Sequence, residues 1–448
     1  MGRRSHSQTL VLWANGERVG RWTVTGRGDM ELQYDPGWVA SPFGRPLSLS
    51  LPFNFNNEPL KGDNVAHYFE GLLPDSDAIR RRVAARFRTG STEAFDLLAA
   101  IGRDCVGALQ LLVDGKEPTG IDQVEGVPVD DEAIERHLLE VVTPDRFAGQ
   151  DPDDDFRISL AGAQEKDAFL RWNGHWLKPR GATPTTHIFK LPLGLVGGRQ
   201  ADFSTSVDNE WLCLRLMKAY GLPVANADIA TFGKQRVLVV ERFDRAVSND
   251  GKRLFRLVQE DFCQATGTSP LVKYENEGGP GLVKIFTLLQ QSLDAEHDLR
   301  TLMASQILFW MLRAPDGHAK NFSIQLLPGQ VGRFRLTPLY DVMSALPVIG
   351  DGPNKWSWRD LKLAMALMGK NRHYLMHTVQ RRHFNSTAKK VGYGESAEPL
   401  LQAFIAGTPA VVEEMQAQLP KGFSQEVADK VLGGLLEAAK ALESMPAS

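Results

Sequence analysis

Cysteine is almost missing from this chain of 448 residues: Cys105, Cys213 and Cys263 are the only three, far apart and never in a CxxC pair. That excludes a disulfide scaffold and a structural zinc site, and it fits a reducing compartment. Long apolar runs are missing too. No stretch reaches 18 consecutive apolar residues, so no transmembrane helix is expected. The opening segment MGRRSHSQTLVLWANGERVG is basic, yet a turn interrupts it before an apolar signal region can form. These absences point to a cytoplasmic protein without a membrane partner. Charge of one sign is also lacking, since 51 Lys and Arg against 54 Asp and Glu leave a net −3. No global field advertises nucleic acid, so any such site must be a local patch. Repeats and low-complexity tracts are absent. What remains is an ordinary globular composition, 43% hydrophobic and 23% charged, at a length that suggests two or three domains.

The organisation can be followed by pattern. TLVLWANGERVGRWTV reads as two strands joined at Asn15-Gly16, a strong hairpin signal. Beyond it, VAHYFEGLLPDSDAIRRRVAARF holds one helix ending near Pro74 and another starting after Ser76 or Asp77. STEAFDLLAAIG offers Ser91 or Thr92 as a cap, and GALQLLV closes a small α+β domain over residues 1–112. Residues 113–155, ending in DPDDD, read as an acidic linker. From 156 to 260 strands dominate, among them FRISL, AFLRWNG, HWLKPR, THIFKLP and QRVLVVERFD. One helix interrupts them, SVDNEWLCLRLMKAYGL, with Ser206 as expected N-cap and Gly221 as its stop. Residues 261–448 read as largely helical, with two amphipathic helices at the end broken at Leu419-Pro420.

One short stretch carries chemistry. RAPDGHAKNFSIQL sets Asp316 five positions before Asn321, the spacing at which protein kinases place a base and a metal-holding amide. FSIQLL, PGQVG and RFRLTPL then read as strand, turn and strand, which returns Tyr340-Asp341 beside Asn321. Two oxygen ligands, completed by phosphate and water, suit Mg²⁺. Lys190 in THIFKLP stands among apolar residues where a strand would not normally carry a charge, and Glu210 follows twenty positions later on a helix. That interval matches the lysine and helix-glutamate pairing of kinases. Upstream, Ala161, Gly162, Ala163, Gln164, Glu165 and Lys166 form a small-residue loop whose amides could approach a phosphate. In VLVVERFDR, a buried strand ends at Glu241, Arg242 and Phe243, a possible adenine hinge, with Asp244 in reach of ribose. Loop, lysine, helix glutamate, hinge, base, metal amide and metal carboxylate follow in the order of a two-lobed kinase. The expected class is therefore α+β: a protein-kinase-like fold with a phosphoinositide-kinase-like catalytic loop, a small N-terminal α+β domain and a helical C-terminal lobe.

The strings DFRISLAGAQEK, TPTTHIFKLP, VERFDR, DGHAKNFS and LTPLYDVMSA, with RPLSLSLP and GLLPDS upstream, resemble the motifs of the HipA-type toxin kinases. These are serine/threonine-protein kinases of type II toxin–antitoxin modules, and the resemblance covers nearly the whole chain. It implies ATP and Mg²⁺ as cofactors, Asp316 as catalytic base, and Asn321 and Asp341 as metal ligands. His318, Ala319, Lys320 and Tyr340 would line the nucleotide site, and Lys190 would meet the phosphates. Ser159 matches the family's autophosphorylated serine, and a phosphate there, adding roughly two negative charges, would switch the enzyme off. Implied partners are a HipB-like helix-turn-helix antitoxin, operator DNA bound mainly through it, and an aminoacyl-tRNA synthetase substrate such as glutamyl-tRNA synthetase. Phosphorylating that enzyme would halt charging and arrest growth. From Lys370 to Lys390 there are six Lys or Arg, three His and no acid. Arg381, Arg382 and His383 fall where the family contacts DNA, although a solvated helix face explains such a run equally well. Other readings stay open: a small-molecule or lipid kinase of similar fold, a catalytically silent co-repressor, and a metal hydrolase that would lack a third ligand.

Overall fold

The computed structural model describes residues 7–142, 159–162, 164–328 and 332–447. The chain divides into two compact units. The first comprises Met1–Leu191, Thr231–Val272 and Ser323–Phe334, and the second Pro192–Ala230, Lys273–Phe322 and Arg335–Ser448.

The first unit opens on the expected hairpin. Gln8–Ala14 pairs with Glu17–Val24 across Asn15 and Gly16, whose φ values of 51° and 87° are the left-handed pair that a two-residue turn demands. The antiparallel sheet extends through Met30–Tyr34 to Leu60–Lys61 on one side and to Gln110–Val113 on the other. Trp22 stacks on Phe69 of the helix Asp63–Glu70 with centroids 3.9 Å apart, and this contact anchors the core. Ser76 caps the helix Asp77–Phe87 as expected, its side chain accepting from the Ile79 amide. Neither Ser91 nor Thr92 caps the next helix, Ala94–Ile101, where Glu93 holds the cap position. Ser91 instead donates to the Asp96 carboxylate at 2.6 Å.

A second sheet has the order Ala227–Phe232, Gln235–Glu241, His187–Lys190, Lys166–Trp172, His175–Pro179 and Gly126–Pro128. Its last strand and the helix Asp131–Val142 lie in the stretch expected to be an acidic linker. Ile134 and Leu138, four apart on one helix face, are both fully buried. The surrounding acids concealed that stripe in the sequence. The DPDDD run lies outside the described residues, as does part of FRISL, whose last two residues, Ser159 and Leu160, are not in a strand.

Glu260, in the strand Gln259–Asp261, is wholly buried and accepts from the Leu49 amide at 2.8 Å. Burial, only partly offset by hydrogen bonds from Ser48 and Leu49, pushes its carboxyl up to about 8. Between the ordinary carboxylate range and that value the folded state holds a proton the unfolded chain has released. Stability therefore falls as pH rises through this window, by up to about 1.4 kcal/mol per pH unit. Glu260→Gln is expected to leave the urea midpoint unchanged near pH 4.5 and raise it at pH 8. Equal midpoint shifts at both pH values would rule this out.

The second unit is mostly helical. Every residue from Thr301 to Met311 in the helix Ala295–Met311 is buried, so this helix is its central rod. Ser206 is not the cap of Ser206–Ala219: Thr205 takes that place, and the Ser206 hydroxyl accepts from the Leu193 amide at 3.0 Å. Gly221, at φ 83°, closes the helix as anticipated. A hairpin of Lys362–Met368 and Arg372–Leu375, not foreseen from the sequence, precedes the helix Arg381–Lys390. Helices Glu398–Gln418 and Gln425–Ser444 end the chain, with the break at Leu419 and Pro420 where it was expected. No described helix is long and apolar enough to cross a membrane.

Candidate active site

The central helix of the second unit delivers the loop that carries Asp316. Gly317 lies against Phe309 of that helix, and a Cβ at position 317 would come within 2.2 Å of the ring. Only glycine lets the loop descend there. The Asp316 carbonyl accepts from the His318 amide at 2.9 Å and from Asn321 Nδ2 at 2.7 Å. Asp316 and Asn321 are thus locked together by the short 3₁₀ turn Ala319–Asn321. The Asp316 side chain remains 48% exposed. His318 is buried, with Nε2 3.6 Å from Asp316 Oδ1. One further partner escaped the sequence: Tyr274 Oη donates to Asp316 Oδ1 from 42 positions upstream.

The return of the chain also follows the expectation. Ser323–Leu326 lies between Gln259–Asp261 and Phe334–Leu336 in a three-stranded sheet. The Leu327 amide donates to the Arg333 carbonyl at 2.9 Å across the connection, part of which lies outside the described residues. Tyr340 Oη then donates to the Lys320 carbonyl at 3.0 Å, so the segment carrying Asp341 comes back beside the loop. Asp341 has φ 59°, a left-handed value that aspartate tolerates better than most residues but that still costs energy. The neighbours hold it there. The Leu339 amide donates to the Pro223 carbonyl at 2.9 Å. Asn209 and Ser344 exchange bonds of 2.7 and 2.9 Å, and the Ala345 amide reaches the Arg313 carbonyl at 2.9 Å.

Do these residues fit Mg²⁺? With its Nδ2 committed to Asp316, Asn321 presents its side-chain oxygen as the remaining acceptor, and Asp341 supplies a carboxylate. Both are hard oxygen donors. Among the described residues no group of three or more His, Cys, Asp or Glu could hold a metal ion. The donor chemistry of the pair suits Mg²⁺ only if the remaining ligands come from a bound group and water.

In the first unit, Lys166 and Lys190 are direct cross-strand partners, so both side chains project from the same face of the sheet. Lys190 is only 6% exposed. The preceding loop is pinned to its surroundings. Gly162, at φ 109°, bridges Pro74, and its carbonyl accepts from the Asp75 amide at 3.0 Å. A Cβ there would come within 2.7 Å of Lys166 Nζ. Gln164 donates to the Leu191 carbonyl at 2.5 Å, and Glu165 pairs with Arg82. Ser159 has no exposed surface; its hydroxyl donates to the Leu72 carbonyl at 2.7 Å and its amide to the Asp104 carbonyl at 3.1 Å. Ala161 is described, whereas Ala163 lies outside the described residues. Glu210 is buried at the fifth position of its helix in the second unit.

At the hinge segment the expectation for Asp244 is corrected. Glu241 is exposed, but Arg242 and Asp244 turn inward to a buried ion cluster. Asp244 accepts from Arg242 Nε at 3.0 Å, Arg242 Nη2 at 2.9 Å and the Gly107 amide at 2.7 Å, and pairs with Arg245 at 3.1 Å. A carboxylate so occupied does not point toward a ribose. The basic run is corrected in the same way. Glu398 grips Arg381 through bonds of 3.0 and 2.6 Å. His383 is buried and stacked 3.7 Å from His373. Burial, with His373 and Arg382 nearby, pushes His383 down to about 4, so it is neutral at pH 7. Of the three residues expected at DNA, only Arg382 is exposed.

Mixed α+β architecture and an Asp-x-His-x-x-Asn loop joined to a returning Asp define a class of phosphotransferase-like proteins. The chain belongs to the HipA family: the HipA N-terminal domain matches residues 10–112 and the HipA-like C-terminal domain residues 158–417. It is 35% identical over 343 residues to Y4mE of Sinorhizobium fredii, a protein provisionally classed as a kinase, covering 76% of this chain and 78% of that one. It is 27% identical over 349 residues to the serine/threonine-protein kinase toxin HipA of Shewanella oneidensis, covering 75% of each. Its fold is similar to that of a chain in the solved complex of HipA, HipB and operator DNA from Shewanella oneidensis MR-1. There the TM-score is 0.76 and the identity 21%, over 96% of both chains.

Proposed function

We propose that the chain is an ATP- and Mg²⁺-dependent serine/threonine-protein kinase of the toxin type. The observation that carries this is the locked loop, in which the Asn321 amide is bonded to the Asp316 carbonyl while the Asp316 carboxylate stays half exposed. Asp316 would take the proton of an attacking hydroxyl as the bond to the γ-phosphorus forms and ADP leaves. Asn321 and Asp341 would hold Mg²⁺, which when bound supplies neutralisation of phosphate charge. Lys190, with Lys166 opposite, would meet the phosphates, and the segment Glu241 to Phe243 would offer its backbone to the adenine.

Ser159 is the proposed site of inactivating autophosphorylation. A phosphate cannot occupy the place where its hydroxyl is buried against Leu72, so modification would dislodge the loop. The proposed partners are a HipB-like helix-turn-helix antitoxin and, through it, operator DNA, as in the complex of the Shewanella relative. The proposed target is an aminoacyl-tRNA synthetase, such as glutamyl-tRNA synthetase, as the family resemblance implies.

Calorimetric titration with ATP, with and without Mg²⁺, tests the metal assignment. Asp341→Asn is expected to weaken Mg²⁺-dependent binding about tenfold or more. An ATP affinity indifferent both to Mg²⁺ and to this substitution would refute it.

A further inference from the structure

We propose that Tyr274 is a positioning residue for phosphoryl transfer, holding Asp316 Oδ1 so that Oδ2 faces the acceptor hydroxyl. This rests on the kinase function proposed above, which gives Tyr274 no task. Three contacts join the Tyr274 segment to the catalytic loop. Its hydroxyl donates to Asp316 Oδ1. Its ring meets His318 edge to face, at 5.0 Å and 87°. The Ala319 amide donates to the Lys273 carbonyl at 3.4 Å.

A half-exposed carboxylate on a short loop is free to rotate, and rotation would carry the accepting oxygen away from the line of attack. A hydrogen bond to one oxygen removes that freedom and leaves the other oxygen to work. His318 Nε2 lies 3.6 Å from the same Oδ1. In the transfer step the phenol keeps its proton. The acceptor's proton goes to Oδ2, the new O–P bond forms, and the bond to the departing ADP breaks.

Tyr274 is itself built in place, which is what a positioning group needs. The amides of Glu277 and Gly279 donate to its carbonyl at 3.0 and 2.9 Å, and Gly278, at φ 104°, permits that turn. The next residue, Glu275, is buried and accepts from the Ala366 amide at 2.7 Å, with Arg372 Nη1 3.4 Å away. Gly281 lies against Glu275 so closely that a Cβ would approach its Cδ to 2.2 Å. The hairpin of Lys362–Met368 and Arg372–Leu375 therefore clamps the segment that holds the base.

The experiment uses the full chain and follows ADP release from MgATP with casein as hydroxyl donor, alongside the KM for ATP and the thermal midpoint. Tyr274→Phe keeps the ring against His318 and removes only the hydroxyl. Its kcat is expected to fall about tenfold or more, with the KM for ATP and the midpoint unchanged. Glu275→Ala is expected to lower kcat in the same direction without raising the KM for ATP. An unchanged kcat in Tyr274→Phe overturns the proposal, and so does a fall accompanied by a lower midpoint and a raised KM, which marks a structural role. Asp316→Asn separates the two levels. If it is inactive while Tyr274→Phe behaves as wild type, only the positioning role fails. If it is fully active, the assignment of Asp316 as base fails; if the wild type itself releases no ADP, the kinase function fails.

Discussion

Asp316→Asn is expected to bind MgATP as the wild type does and to lose phosphoryl transfer by at least about a hundredfold. The substitution is nearly isosteric, and the bonds from His318 and Asn321 reach the Asp316 carbonyl, not its side chain. The loop should therefore keep its shape, and Asn321 should stay where it would hold the metal. What disappears is the carboxylate proposed to accept a proton. Intact-mass measurement after incubation with MgATP provides one readout. The wild type should gain one phosphate that Ser159→Ala does not gain, and Asp316→Asn should remain at its unmodified mass. Growth after induced expression provides the other, with arrest expected for the wild type alone. Full growth arrest by Asp316→Asn would sink the kinase mechanism.

The second large effect concerns folding. Asp104 lies at the centre of a buried cluster, bonded to Arg245 Nη2 at 2.8 Å, Thr185 Oγ1 at 2.6 Å, and Arg242 and Arg256 at 3.3 Å. Burial alone would raise its pKa, but the guanidinium groups of Arg245, Arg242 and Arg256 outweigh burial and hold it well below the usual carboxylate range. Asp104→Asn leaves Arg242 and Arg245 with the single carboxylate of Asp244, and Arg256 without its carboxylate partner. Breaking a buried ion network in this way costs about 3 to 5 kcal/mol. A correspondingly large fall in the urea midpoint is expected at pH 7. Because the folded-state pKa is depressed, the stabilisation is present above the unfolded-state value and is lost as pH falls toward the folded one. The gap between mutant and wild type should therefore narrow in acid. Equal midpoints at pH 7 would show that the cluster contributes nothing. The Asp104 carbonyl also receives the Ser159 amide, so loosening this cluster is expected to loosen the Ser159 segment as well.

What could be foreseen in the sequence was local. Asp316, His318 and Asn321 sit within one turn, and the hairpin that brings back Tyr340 and Asp341 spans only a short connection. Spacing alone therefore carried the geometry. The Asn15-Gly16 turn, the Ser76 cap and the break at Pro420 were visible for the same reason. Tyr274 was not, because its partner lies 42 positions away and a tyrosine in a loop has no periodic signature. Asp104 was equally hidden, with partners 81 to 152 positions distant. The helix Asp131–Val142 was obscured by the acids around its two buried residues. Composition also misled at Arg381 and His383: a run of basic residues says nothing about which way each side chain turns, and Glu398 and His373 decided that.

The shelter of Ser159 has a kinetic consequence. A hydroxyl with no exposed surface, bonded to the Leu72 carbonyl, cannot meet a phosphoryl donor until its segment opens. If Ser159 is the phosphoacceptor proposed above, the frequency of that opening would set a ceiling on self-inactivation that extra ATP cannot lift. Each newly folded molecule would thus carry its own timer, with an active interval set by how firmly Leu72, Asp104 and Pro74 grip a few residues of backbone.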